Sequence, residues 1–234
     1  MNLWVYLATT PLFWLTATIL AFLIAGWVHE KAGRPPWANP VALSILLLMG
    51  VLFATHTPYP TYFAGAQFVH FMLGPATVCL AVPFWTHRHD VRAMALPLLV
   101  AILAGVITAI SSAVGLAWWL GADRLTVASI VPKSVTAPVA MGIAEQIGGL
   151  PSLTAALVLG TGILGAMIGP GVLRLAGLRD PRAMGTAMGC AAHGIATAAA
   201  FQIDPKAGTY GGIAMALSGL LTAVLVSLAV LVMG

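Results

Sequence analysis

All but two of the 16 charged residues of this 234-residue chain fall into short clusters, and most of the segments between the clusters are long, apolar and uncharged. The uncharged segments cover residues 3–28, 41–86, 94–120, 153–173, 184–203 and 207–234. A helix needs roughly 20 consecutive apolar residues to cross a bilayer. Segment 41–86 is long enough for two crossings around the turn-rich residues 56–60, and residues 126–147 add one more element. The pattern therefore predicts about eight hydrophobic elements.

Only 7% of the residues are charged, and the mean hydropathy is +1.01. A soluble domain typically has about 25% charged residues, so this chain cannot cover itself with a water-exposed surface. That excludes a cytosolic enzyme and a disordered chain, and the absence of a basic patch excludes a nucleic-acid partner. Cys79 and Cys190 lie in apolar stretches and are typical of small hydrophobic residues. We predict an all-α polytopic membrane protein whose surroundings are the lipid bilayer.

The distribution of basic residues bears on the topology. Residues 11–28 lack the basic flank and cleavage site of a signal peptide, so we expect a retained first helix. The positive-inside rule places the loops at residues 31–34 and 88–92 in the cytoplasm. If every later element crossed fully, the most basic loop, at residues 174–182, would lie outside. One re-entrant or broken element within residues 126–147 removes this conflict.

A short motif, Gly-aliphatic-aliphatic-x-Ala, recurs along the chain. It begins at Gly50, Gly105, Gly162 and Gly219, with spacings of 55, 57 and 57 residues. Chance is the alternative, because small residues are common where helices pack in lipid. The near-equal spacing favours internal repeats, parallel or inverted. We predict a single transmembrane domain, with N-terminal helices over residues 1–64 and a repeat-containing transport core over residues 65–234.

The segment with the most unusual chemistry is residues 129–140. Pro132 and Pro138 interrupt the helix, and Lys133 lies between them with Ser134 and Thr136. In lipid, interrupted backbone is tolerated only where it is buried in protein or lines a polar cavity. Free amides and an ammonium group favour an anion, so we predict a carboxylate-binding site near the bilayer midplane. The alternative is a kinked helix whose lysine reaches an interface.

Two further segments supply candidate binding residues. Thr77 lies between prolines in residues 68–83 and is the repeat partner of Ser134, so these residues form the second predicted broken helix. His193 lies among glycines and alanines that permit close approach of a ligand, with Thr197 following. We assign Thr77, His193 and Thr197 to the substrate site. The alternative for His193 is a hydrogen bond to a neighbouring carbonyl group.

Proton coupling is assigned to Glu145 or His193. Glu145 is the only acidic residue within an apolar element, although it also fits a helix end at the interface. A histidine has an unperturbed pKa of about 6.5, within the physiological range. The chain has no motif for a cofactor, no metal-ligand spacing and no catalytic set, so we expect no enzymatic activity.

Five motifs, in order, resemble the LrgB/CidB family over nearly the whole chain. They are Leu-Gly-Pro-Ala-Thr-Val-x-Leu-Ala-Val-Pro at residues 73–83, Pro-Lys-Ser-Val-Thr-Ala-Pro at 132–138, Glu-x-Ile-Gly-Gly-x-Pro at 145–151, Thr-Gly-Ile-x-Gly at 161–165 and Ala-His-Gly-Ile-Ala-Thr-Ala at 192–198. Two positions depart from the family pattern. Ala137 follows Thr136 where the family has a second threonine, and Ala196 replaces the second glycine of a His-Gly-Ile-Gly motif.

The resemblance implies two classes of function. Family members are described as antiholin-like inner-membrane proteins that regulate murein hydrolases and lysis, and related proteins carry glycolate, glycerate or pyruvate. Many bacterial members act beside a small LrgA-type membrane protein, and we expect a homo-oligomer. From the residues we put first a transporter for small monocarboxylates of the glycolate, glycerate, lactate or pyruvate type, with proton coupling as an option. The alternative is a holin/antiholin-like regulator of murein hydrolase export and lysis.

Overall fold

The computed structural model describes residues 10–72, 75, 78–79, 81–86 and 88–233. These residues form helices, turns and bends, with no strand among them. Four of the described helices are long and apolar enough to cross a membrane: Pro11–Lys31, Ala95–Trp119, Pro151–Leu175 and Pro205–Leu231. The prediction of an all-helical membrane protein is confirmed. The count of eight hydrophobic elements, the repeats and the re-entrant helices stay predictions.

The chain divides into two compact units, Met1–Ala81 and Val82–Gly234. The first unit contains α1 (Pro11–Lys31), a short 3₁₀ helix (Pro36–Ala38), α2 (Pro40–Ala54) and α3 (Tyr59–Phe71). Both α2 and α3 pack against α1. The fully buried Trp14 meets Tyr62 edge-on at a ring-centroid distance of 5.8 Å. Asn39 begins α2, because its side-chain oxygen accepts hydrogen bonds from the first free main-chain amides.

The second unit carries the remaining helices. They are α4 (Ala81–Thr86, which starts at the boundary), α5 (Arg88–Ala93), α6 (Ala95–Trp119), α7 (Arg124–Ile130), α8 (Ala137–Gln146), α9 (Pro151–Leu175), α10 (Pro181–Ile203) and α11 (Pro205–Met233). Asp123 and Asp180 cap the amino ends of α7 and α10. The largest buried cluster joins α6, α10 and α11 around Ile102, Cys190 and Tyr210.

Helix α10 turns back on itself at residues 192–193. The main chain leaves helical geometry there, with φ/ψ of −144°/27° at Ala192 and 42°/−138° at His193. Gly185, before the turn, packs against the Ala207 main chain, and Phe201, after the turn, packs against Gly208. Both ends of α10 therefore lie beside the start of α11. Residues 181–191 and 194–203 are the two arms of a helical hairpin.

The chain also folds back between α7 and α9. Helix α7 ends at Ile130 and α8 starts at Ala137, so residues 131–136 interrupt the helix around the prolines noted above. After α8, the amide of Leu150 donates a hydrogen bond to Ser129 Oγ at 2.8 Å, and Thr154 Oγ1 donates to the Ser129 carbonyl at 2.9 Å. The chain moves away from α7 over residues 131–136. Helix α8, which is about 15 Å long, then returns it to the neighbourhood of Ser129.

Candidate functional site

A cavity of about 710 Å³ lies between α6 and the first arm of α10. The α6 wall consists of Met94, Pro97, Leu98, Ala101, Ala104, Gly105, Thr108 and Ala109. The α10 wall consists of Asp180, Arg182, Ala183, Thr186, Ala187, Cys190 and Ala191, and Lys133, Ser134 and Tyr210 complete the lining. Small side chains predominate on both helices, and this is why two packed helices leave a space of this size between them.

Lys133 and Ser134 bring a charge and a hydroxyl group to this cavity. Lys133 is partly buried, and its ammonium nitrogen lies 3.4 Å from Ser134 Oγ. Consecutive tight turns hold the segment, with the Lys133 amide bonded to the Ile130 carbonyl at 3.1 Å. No ion pair to Lys133 occurs among the residues that the structure describes. An ammonium group in this position attracts an anion, because its charge has no carboxylate beside it.

His193 lies at the turn of the α10 hairpin and is 5% exposed. Its ring Nε2 is 2.9 Å from the Val158 carbonyl oxygen of α9, and Lys133 is close enough to interact with it electrostatically. The positive φ of His193 costs about 1–3 kcal/mol for a residue with a Cβ. Gly162 leaves room for the ring, since a Cβ there would lie 2.7 Å from His193 Cε1. The contact matches the alternative given for His193, a hydrogen bond to a carbonyl group.

The other predicted site residues are spread around this centre. Thr136 is partly buried just before α8, and Thr197 is buried and donates to the His193 carbonyl at 2.8 Å. Glu145 is exposed in the last turn of α8. None of these three, nor His193, is among the described residues that line the cavity. Thr77 lies outside the described residues.

Several cavity residues were not predicted from the sequence. Arg182, Thr186, Thr108 and Tyr210 were not singled out, and Cys190 was interpreted only as a small hydrophobic residue. One signal was available: small residues recur at helical spacing on both walls, and such a stripe marks close approach of helices. The stripe itself does not tell whether a second helix or a cavity lies opposite it.

Comparison with known proteins defines the family. The model of the LrgB-like family matches residues 18–232, nearly the whole chain. This chain belongs to the LrgB-like family. The resemblance seen in the sequence motifs is thereby confirmed.

Relatives of this LrgB-like protein include proteins with and without a functional name. It is 34% identical to the uncharacterized protein YwbG of Bacillus subtilis, over 88% of this chain and 91% of that protein. It is 25% identical to the holin-like protein CidB of Staphylococcus epidermidis, and equally to that of Staphylococcus aureus, over 92% of this chain and 93% of each relative. No solved structure matches.

Proposed function

We propose that this LrgB-like chain acts in the membrane as a holin/antiholin-type protein. The relatives with a functional name support this class, and they favour it over the monocarboxylate transporter that was put first from the sequence. Four apolar helices of spanning length support a role within the bilayer. An LrgA-type small membrane partner and a homo-oligomer are further proposals, supported only by the family membership.

A second candidate function concerns how the predicted transport core, residues 65–234, acts on the membrane. The cavity supports this candidate. We propose that the core passes a small monocarboxylate selectively and does not open a wide pore. A volume of about 710 Å³ is in the usual range for small-molecule sites, roughly 300–1,000 Å³. Lys133, without an ion pair among the described residues, would bind the carboxylate beside the Ser134 hydroxyl group. A wide, nonselective pore does not require an ammonium group in a cavity between two helices.

We also propose that the two folded-back segments are re-entrant hairpins of an inverted repeat. Residues 124–146, shifted by the 57-residue spacing, coincide with Pro181–Ile203, and α6 shifted in the same way coincides with α9 to within one residue. One crossing helix in each repeat makes the repeats inverted, so the two hairpins enter from opposite faces. The basic loops at residues 88–92 and 174–182 then share the cytoplasmic side.

Equivalent positions of the two proposed repeats are in contact in one case and separated by the cavity in the other. Ser129 and Thr154 are hydrogen bonded to each other. The residue 57 positions after Ser129 is Thr186, and the residue 57 positions before Thr154 is Pro97; both of these line the open cavity. We propose that this conformation is open towards the Arg182 side and closed by the Ser129–Thr154 contact on the other. If the two repeats exchanged their open and closed arrangements, a bound anion would move across the midplane, as inverted repeats permit.

The test compares solute uptake with nonspecific leakage in proteoliposomes. Purified protein is reconstituted, and uptake of radiolabelled glycolate, glycerate, lactate and pyruvate is measured beside release of a trapped carboxyfluorescein dye. Saturable uptake without dye release supports selective passage. Dye release shows a wide pore, which supports the holin-like class and contradicts the carrier mode. If neither uptake nor dye release is observed, both modes of membrane passage are contradicted.

Lys133 supplies the residue-level test. Lys133→Ala is expected to abolish uptake with unchanged membrane expression, because the carboxylate loses its counter-charge. Lys133→Arg should retain only part of the activity, since a planar guanidinium does not replace a compact ammonium. Lys31→Ala is the control, because Lys31 is an exposed lysine of the first unit. Normal uptake by Lys133→Ala would contradict the carboxylate site.

A further inference from the structure

An ion pair lies at the rim of the cavity, where α10 begins. Arg182 Nη2 donates to Asp180 Oδ2 at 2.7 Å, and Arg182 Nε lies 3.1 Å and 3.2 Å from the two carboxylate oxygens. Arg182 Nη1 is 3.1 Å from Sδ of Met94, the residue just before α6. All three residues line the cavity. The pair therefore spans from α10 to α6 at the end of the cavity away from the hairpin turn.

The pair is charged and also open to solvent. The hydrogen bonds from Arg182 hold the pKa of Asp180 down to about 2, so the carboxylate is ionised at physiological pH. The side chains of Arg182 and Asp180 are 40% and 44% exposed. An ion pair with this exposure is weak, because water competes for both groups. A second carboxylate can therefore replace Asp180 on the guanidinium at small cost.

We propose that Arg182 admits the transported anion at the mouth of the cavity, by exchanging the Asp180 carboxylate for the carboxylate of an entering solute. This inference rests on the proposed passage of small carboxylates. The forked guanidinium matches a carboxylate with two parallel hydrogen bonds, as it does here with Asp180. Asp180 acts as a built-in competitor that holds Arg182 in position and releases it to the solute. The anion then moves along α10 to Lys133.

The proposal predicts opposite effects of two substitutions on uptake in proteoliposomes. Arg182→Gln removes the docking group and should raise the KM by about two- to five-fold, the size expected for one exposed charge pair. Asp180→Asn removes the competitor but keeps a good helix cap, and should lower the KM by a similar factor. The maximal rate should change little in either variant. Arg179→Gln is the matched control, because Arg179 lies in the same loop but lines a different, smaller cavity.

A measurement that does not require transport separates this inference from the proposed function. Cys190 is buried, so Ala187→Cys places the reporter thiol on a partly exposed residue of the cavity wall; in a Cys79→Ser, Cys190→Ala background its labelling by anionic and cationic methanethiosulfonates reports the potential inside. The ratio of the anionic to the cationic rate should fall two- to five-fold in Arg182→Gln and rise in Asp180→Asn. If wild-type protein takes up no carboxylate, the proposed selective passage of monocarboxylates is wrong. The labelling ratio then still decides whether Arg182 attracts anions into the cavity.

Both outcomes of each comparison are informative. An unchanged KM and labelling ratio in Arg182→Gln would overturn the proposal, as would an equal effect of Arg179→Gln. A guanidinium also suits a lipid phosphate, so the assays are run in liposomes of phosphatidylcholine alone and with phosphatidylglycerol. Effects that persist in phosphatidylcholine alone support a free carboxylate. Effects seen only with the anionic lipid would assign Arg182 to a lipid headgroup and overturn the proposal.

Discussion

The contact between α9 and the turn of the α10 hairpin depends on the absence of a side chain at Gly162. A Cβ at this position would lie 2.7 Å from His193 Cε1, 3.1 Å from His193 Nε2 and 2.8 Å from Ile195 Cδ1. The ring cannot easily move away, because Nε2 is bonded to the Val158 carbonyl at 2.9 Å. We therefore expect Gly162→Ala to destabilise the protein by forcing the hairpin turn away from α9.

Gly160 provides a matched control on the same helix. No atom lies within 4 Å of the position where its Cβ would be, so Gly160→Ala adds a methyl group in open space. Overpacking a close contact costs about 1–3 kcal/mol, whereas alanine in a helix is more stable than glycine by roughly 0.5–1 kcal/mol. Both variants gain this helix stabilisation, so it cancels, and they should differ by the overpacking cost alone, roughly 1–3 kcal/mol in the free energy of unfolding.

The assay is thermal unfolding of the purified variants in one detergent, followed by tryptophan fluorescence and by loss of monodisperse protein. A difference of 1 kcal/mol shifts the Tm by roughly 2–4 °C for a chain of this size, so the two midpoints should lie roughly 2–12 °C apart. Equal midpoints for Gly162→Ala and Gly160→Ala would refute the packing of the hairpin turn against α9. The position of His193 beside Val158 would then be wrong as well.

Two further predictions concern transport. If a proton accompanies the anion, uptake should follow an imposed pH gradient, and His193→Gln should lose that response more than Glu145→Gln; two variants that both respond like wild type would show that the proton path uses neither residue. Thr154→Val removes the hydroxyl group bonded to the Ser129 carbonyl, and should speed the labelling of the cysteine introduced by Ala187→Cys from the face opposite Arg182. An unchanged rate, or an equal change in the exposed-residue control Ser152→Ala, would contradict a closed gate there.

The sequence by itself was sufficient for the class of fold and for the points where helices start and stop. Long uncharged segments predict membrane helices because backbone polar groups in lipid must be satisfied within the helix. Pro132 lies within the interruption between α7 and α8, because a proline removes a main-chain donor, and Pro138 lies in the first turn of α8, where that donor is not needed. Asp180 followed by proline begins α10, because its carboxylate caps a free amide. Each of these signals is local, so it can be read from neighbouring residues.

The tertiary structure alone decided where α10 reverses and which residues line the cavity. No proline marks the turn at Ala192–His193, and a positive φ is uncommon for any residue that has a Cβ. The turn is stabilised by contacts with distant residues, including Val158 and Gly162. The cavity likewise forms because two stripes of small residues, one on α6 and one on α10, face each other and leave space beside the contact that Cys190 makes with Ile102. Pairing of surfaces so distant in the chain depends on how the helices pack, and no local pattern contains it.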